Sequence, residues 1–137
     1  MSKRTAYEEV VIENKVFLKI CRLTELFEGK GKRFFYGEDP DMQFAVYKIN
    51  GKLYSLNNVC PHRHQDQMHK GIIRGLNVMC PAHGWTYSLV TGKNISKKQG
   101  VKSLESYEIF VRDDYVYVEK PNFSPAKWKN YDSFENK

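Results

Sequence analysis

A chain of 137 residues with 41% hydrophobic and 14% aromatic content has the length of one domain and can bury a core of its own. The formal charge of +6 is a moderate basic excess that suits docking on an acidic protein. It does not mark a nucleic-acid binder, because Lys93, Lys97, Lys98 and Lys102 are broken up by Asn94, Ile95 and Gln99; no segment approaches a membrane span either.

Residues 1–9 carry charge without the apolar stretch of a secretory signal, so the expected location is cytoplasmic, where thiols stay reduced. Residues 9–12 and 16–20 are rich in β-branched and aromatic side chains and are expected to be strands. Cys21 follows them, placed between Ile20 and Arg22 as a small apolar residue on a strand. Residues 28–41 hold Gly29, Gly31, Gly37 and Pro40 among charges, which reads as a loop. Residues 44–49 and 52–56 flank Asn50-Gly51, a pair suited to the two positive φ values of a type I′ turn, so a hairpin is expected that leads almost directly into Cys60.

Two short motifs come next, Cys60-Pro61-His62 and Cys80-Pro81-Ala82-His83, with seventeen residues between His62 and Cys80. Beyond them Thr91-Gly92 is a turn, and residues 107–111 and 115–118 flank Arg112-Asp113-Asp114 as a further hairpin. Residues 121–137 are polar but contain Phe123, Trp128, Tyr131 and Phe134, and read as a loose tail or as a strap against the sheet. No long 3.6-residue period competes with these strands, so the fold class is all-β, a small antiparallel domain carrying two loops.

The two motifs present two thiols and two imidazoles. Cys₂His₂ is a legitimate tetrahedral zinc set, and a zinc-stabilised interaction module is one reading. The order of ligands favours another. Zinc fingers group Cys with Cys and His with His, whereas here each loop offers one of each. That suits two metal atoms, one iron holding both cysteines and the other both histidines, bridged by sulfide.

The motifs, their spacing, and the continuation Gly84-Trp85-Thr86-Tyr87-Ser88-Leu89-Val90-Thr91-Gly92 resemble the Rieske [2Fe–2S] proteins. The resemblance covers residues 8–120 in length and strand pattern, with cluster loops at 60–70 and 80–92. It implies a small antiparallel β sandwich with a two-loop tip that binds one [2Fe–2S] cluster through Cys60, His62, Cys80 and His83. Respiratory members of the family carry an extra cysteine in each loop, joined as a disulfide. Here Gln65 and Ala82 stand instead, so the chain resembles the soluble, oxygenase-associated ferredoxins. The first loop also lacks the glycine often found after the first His, and Met68 is a candidate apolar lid. His64 and His69 read as exposed loop residues. Trp85 occupies the position where high-potential relatives place a serine, and the hydroxyl of Tyr87 is within reach of the Cys60 sulfur. A potential in the lower half of the range of about −150 to +300 mV follows.

The functional expectation is a one-electron carrier, not catalytic alone, that takes electrons from a reductase and passes them to a terminal oxygenase or similar acceptor docked at the cluster tip. All four histidines lie between residues 62 and 83, so no separate 2-His-1-carboxylate iron site is offered. A small redox subunit of a nitrite-reductase-type assembly is the alternative within the same chemistry. A nucleic-acid partner and a membrane are not expected.

Overall fold

The computed structural model describes residues 7–60, 66–81, 84–95 and 103–122, and these form three antiparallel sheets. The first contains β1 (Glu8–Ile12), β2 (Lys15–Arg22), β10 (Ile109–Arg112) and β11 (Tyr115–Glu119), in the order β1-β2-β11-β10. The second contains β3 (Gly31–Phe35), β4 (Gln43–Ile49), β5 (Lys52–Asn57) and β9 (Ser106–Tyr107), in the order β3-β4-β5-β9. The third is a small sheet of β6 (Ile72–Arg74), β7 (Asn77–Met79) and β8 (Thr86–Ser88). The expected all-β architecture is therefore present.

β4 organises the molecule. Alternate side chains of a strand point to opposite faces, and here both faces are covered. Phe44 and Val46 join Leu18, Ile20, Val116 and Val118 of the first sheet in one core. Ala45, Tyr47 and Ile49 join Leu56, Met68, Val78, Tyr87, Cys60 and Cys80 in the other. A near-continuous apolar run is what a strand buried on both faces requires. The second core is the one that contains both motif cysteines.

Three hairpins turn on paired positive φ values. Asn50 and Gly51 (53° and 79°) close β4–β5 as expected, and Glu28 stabilises the turn by accepting from both of their backbone N–H groups. Asp113 and Asp114 (52° and 68°) close β10–β11. Glu13 and Asn14 (51° and 69°) join β1 to β2. Cys21 lies buried on β2, where desolvation first and Glu25 second push its thiol up to about 12, keeping it a neutral apolar group.

Two local expectations change. Residues 28–41 are not simply a loop, because Gly31–Phe35 pairs with β4 along its whole length. Gly31 is a point of close approach: a Cβ there would lie 2.6 Å from the His69 carbonyl oxygen and 2.7 Å from the Tyr47 ring. Phe34 is buried by stacking on Phe44 at 5.6 Å between centroids. The expected strand 107–111 is split, since Tyr107 pairs with Ser55 in the second sheet while Ile109 begins the pairing with β11 in the first. The aromatic residues of the C-terminal stretch, from Phe123 onward, lie outside the described residues.

Candidate metal centre

Cys60 follows β5 by three residues and Cys80 directly follows β7, so two sheet ends deliver the two thiols. Neither is joined in a disulfide, both are fully buried, and both belong to the core cluster that includes Tyr47, Met68, Trp85 and Tyr87. His62 and His83 lie outside the described residues, as does His64. What surrounds the thiols is nonetheless defined.

The second loop is shaped by its own backbone. Gly84 N–H donates to the Cys80 carbonyl (2.9 Å), and Cys80 N–H donates to the Trp85 carbonyl (2.8 Å). Gly84 adopts φ +79°, a conformation glycine reaches without steric cost, and so returns the chain from Cys80 into β8. Tyr87 in β8 points inward, and its hydroxyl lies 3.3 Å from Cys60 Sγ. Burial, and then the contact with Cys60, push the Tyr87 phenol well above its ordinary range. It stays protonated and is a donor to a thiolate. This contact joins the second loop's strand to the first loop's cysteine.

The first loop is held by a buried polar hub whose centre, Asn58, precedes Cys60 by two residues and is fully buried. Asn58 Nδ2 donates to Gln43 Oε1 (2.6 Å) and to the Asp66 carbonyl (3.0 Å). Its Oδ1 accepts from the backbone N–H of His69 (2.6 Å) and lies 3.2 Å from His69 Nδ1. Gln43 in turn donates to the Pro40 carbonyl (2.8 Å), and Arg33 Nη1 reaches Asp66 Oδ2 at 3.0 Å. One amide thus clamps the chain on both sides of residues 61–65. Tyr47 adds a second tie, donating its hydroxyl to the Met68 carbonyl at 2.6 Å. Burial, with a smaller contribution from the neighbouring Cys80 thiol, holds the Tyr47 phenol far up its titration range.

Met68 is fully buried in the cysteine-containing core, as an apolar cover would be. Trp85, at 8% exposure, belongs to the same cluster. His69 is not an exposed loop residue: it is half-buried against Asn58, and burial followed by Arg33 and Lys70 lowers its pKa.

Asn58, Gln43, Asp66 and Tyr47 were not singled out by sequence reasoning. Gln43 carried a usable signal, a polar residue opening a strand whose next four residues, Phe44 to Tyr47, are apolar or aromatic and buried. The donor set fits a [2Fe–2S] group on the side described: two soft sulfur ligands, free of disulfide, water-excluded, with a hydroxyl beside one sulfur.

Comparison with known proteins agrees. The family model described as the Rieske [2Fe-2S] domain matches residues 16–108. "Ferredoxin CarAc" of Metapseudomonas resinovorans is 28% identical over 106 residues, covering 77% of this chain and 94% of that protein. Among solved structures, one titled as a complex of reduced oxygenase and oxidized ferredoxin in carbazole 1,9a-dioxygenase superposes with a TM-score of 0.68 at 24% identity, covering 81% of this chain and 99% of that one. A putative NADH-dependent nitrite reductase small subunit from Mycobacterium tuberculosis superposes with a TM-score of 0.66 at 22% identity, covering 80% and 98%.

Proposed function

The chain belongs to the Rieske [2Fe–2S] domain family, and from this we propose that it is the cytoplasmic ferredoxin of an oxygenase system, with residues 8–120 as its redox domain and Cys60, His62, Cys80 and His83 as the cluster ligands. The observation that carries the assignment is the pair of fully buried, disulfide-free thiols in one core, with the Tyr87 hydroxyl 3.3 Å from Cys60 Sγ.

The cluster, when bound, supplies a reversible one-electron couple. The protein's own residues do the rest. Cys60 and Cys80 bind as thiolates, Tyr87 donates a hydrogen bond toward Cys60 Sγ, and Trp85 and Met68 keep water from the sulfur side. Asn58 fixes where the first loop leaves and rejoins the sheet. A hydroxyl aimed at sulfur stabilises the more negative, reduced state and raises the potential, while Trp85 contributes no such hydroxyl.

In this reading an electron enters from a reductase and leaves to a terminal oxygenase, and it is supported by the likeness of the fold to a chain solved in a complex of oxygenase and ferredoxin. The similarity to a nitrite reductase small subunit supports a second reading, a redox subunit of that type of assembly. Absorption and electron-spin spectra of the purified protein before and after dithionite test the assignment. A Rieske signal with about two iron and two sulfide per chain is expected. A colourless protein holding one zinc would refute it.

A further inference from the structure

The formal charge of +6 has one origin in the chain. From Gln67 to Leu104 there are six cations (Lys70, Arg74, Lys93, Lys97, Lys98 and Lys102) and no Asp or Glu. Subtracting that stretch from the totals of 22 basic and 16 acidic residues leaves 16 of each, so the remainder of the molecule is formally neutral. The third sheet is built inside this stretch.

The solvent face of that sheet has a defined pattern. Ile73, Val78 and Tyr87 point into the core, so their neighbours point outward. The pairing register aligns Ile72 with Met79 and Met79 with Thr86. The chain after β8 continues the pairing: Tyr87 bridges Asn94, and Ile95 N–H donates to the Thr86 carbonyl at 2.8 Å. Directly opposed residues share a face. Ile72, Met79, Thr86 and Ile95 therefore form one transverse row, its ends 47% and 44% exposed. The next row begins with Arg74 on β6 and ends with Lys93, whose carbonyl accepts from Ser88 N–H. Both cations are exposed. The apolar row sits one residue from Cys80, between the basic row and the cluster end.

Resting on the electron-carrier reading, we infer that this outer face, with Ile72, Met79, Thr86 and Ile95 at its centre and Arg74 and Lys93 on its rim, is the docking surface for a redox protein whose electron port is apolar and ringed by carboxylates. Two features favour that occupant. Opposite rim charge steers encounter, and exposed aliphatic side chains beside the thiol-bearing strand end give a desolvated centre close to the redox group. A solvated basic turn would need the charge but not the aligned apolar row.

The test uses the dithionite-reduced holoprotein and two ferric cytochromes, one with its haem edge ringed by carboxylates and one with it ringed by lysines, in stopped-flow mixing at several ionic strengths. With the carboxylate-ringed acceptor the second-order rate should fall as salt is added, and Arg74→Glu/Lys93→Glu should slow it about tenfold at low salt. Lys15→Glu/Arg112→Glu, the same charge change on the first sheet, should slow it much less. Ile72→Ser/Ile95→Ser should slow the reaction while leaving its salt dependence in place. With the lysine-ringed acceptor the Glu pair on the face should speed transfer.

Equal effects of the two Glu pairs would assign steering to net charge and overturn the proposal, as would no effect of either. A dimer in solution that Ile72→Ser dissolves would make a second copy the occupant, and overturn it too. A protein without the Rieske spectrum fails the electron-carrier reading before any cytochrome is added, so the two failures are distinguishable.

Discussion

Replacing Asn58 by Ala should destabilise the holoprotein and, beyond that, loosen its cluster. The side chain is fully buried and serves partners on three segments, Gln43, Asp66 and His69. A buried polar group left unpaired costs about 1 to 3 kcal/mol, and a hydrogen bond whose partners can turn to water about 0.5 to 1.5 kcal/mol. Gln43 is 3% exposed and takes the larger figure, whereas Asp66 and His69 are half-buried and take the smaller. The sum is about 2 to 6 kcal/mol, and the small cavity that truncation leaves adds to it. Denaturant titration followed by far-ultraviolet circular dichroism gives this number directly. The stronger test compares cluster loss with Leu18→Ala, a truncation in the other core expected to cost about 2 to 5 kcal/mol without touching the first loop. Visible absorbance in the presence of an iron chelator should bleach several-fold faster in Asn58→Ala than in Leu18→Ala. A stability loss below about 1 kcal/mol, or equal bleaching of the two variants, would refute the clamp.

Tyr87→Phe should lower the reduction potential. If the two oxidation states differ by about 1 kcal/mol in their bond to the hydroxyl, the shift is about 40 mV, since 1.4 kcal/mol corresponds to about 59 mV for one electron; protein-film voltammetry reads it, and an unchanged potential would make Tyr87 a packing residue. His69 has a lowered pKa in the fold through burial, then Arg33 and Lys70, with Asp66 opposing. The unfolded chain therefore binds a proton that the fold resists, and stability should fall as pH drops below about 6.5 until the folded pKa is passed. His69→Gln should flatten that limb relative to the parent in denaturation at pH 7.5 and 5.5, and an identical slope would count against it. Gly31→Ala places a methyl 2.6 Å from the His69 carbonyl oxygen, so β3 or the first loop must shift, with an expected loss of about 1 to 3 kcal/mol by thermal unfolding. A melting temperature equal to the parent's would show that the approach has slack.

What could be read from the chain depended on whether the signal was local. Asn50-Gly51 announced its hairpin because both residues accept positive φ cheaply, and the structure has the turn there. Glu13-Asn14 takes the same geometry without a glycine, so nothing marked it in advance. Gly31 misled in the other direction. A glycine among charges reads as a loop, yet this one is in a paired strand because a carbonyl and a tyrosine ring crowd it. The strands of the third sheet are three residues each, too short for a period of two to declare itself. The ligand motifs were legible because their residues are adjacent in sequence. The proximity of Tyr87 to Cys60, 27 residues away, was reached through family resemblance and not through spacing. The Asn58 hub was invisible, because Gln43 is 15 residues distant and an asparagine in a loop usually caps or turns its own backbone.

The missing loop cysteines and the polar hub are two sides of one mechanical problem. With Gln65 and Ala82 where respiratory relatives carry a cross-link, no disulfide ties the first loop to the second. Each loop is then anchored separately. The second is closed by its own turn at Gly84 and by the pairing of β7 with β8. The first is anchored to the second sheet, through Asn58 to Gln43, through Asp66 to Arg33, and through Met68 to Tyr47. Among the described residues the Tyr87–Cys60 contact and the apolar packing around it couple the halves, and a bound cluster would add its own ties through the Cys60 and Cys80 thiolates. A hydrogen bond holds far less firmly than a disulfide, so before a cluster binds this tie is weaker than that of a cross-linked tip. Tuning of the potential and coupling of the two halves thus fall on the same hydroxyl, and Tyr87→Phe should alter both, whereas Asn58→Ala should loosen only the anchoring of the first loop to the second sheet.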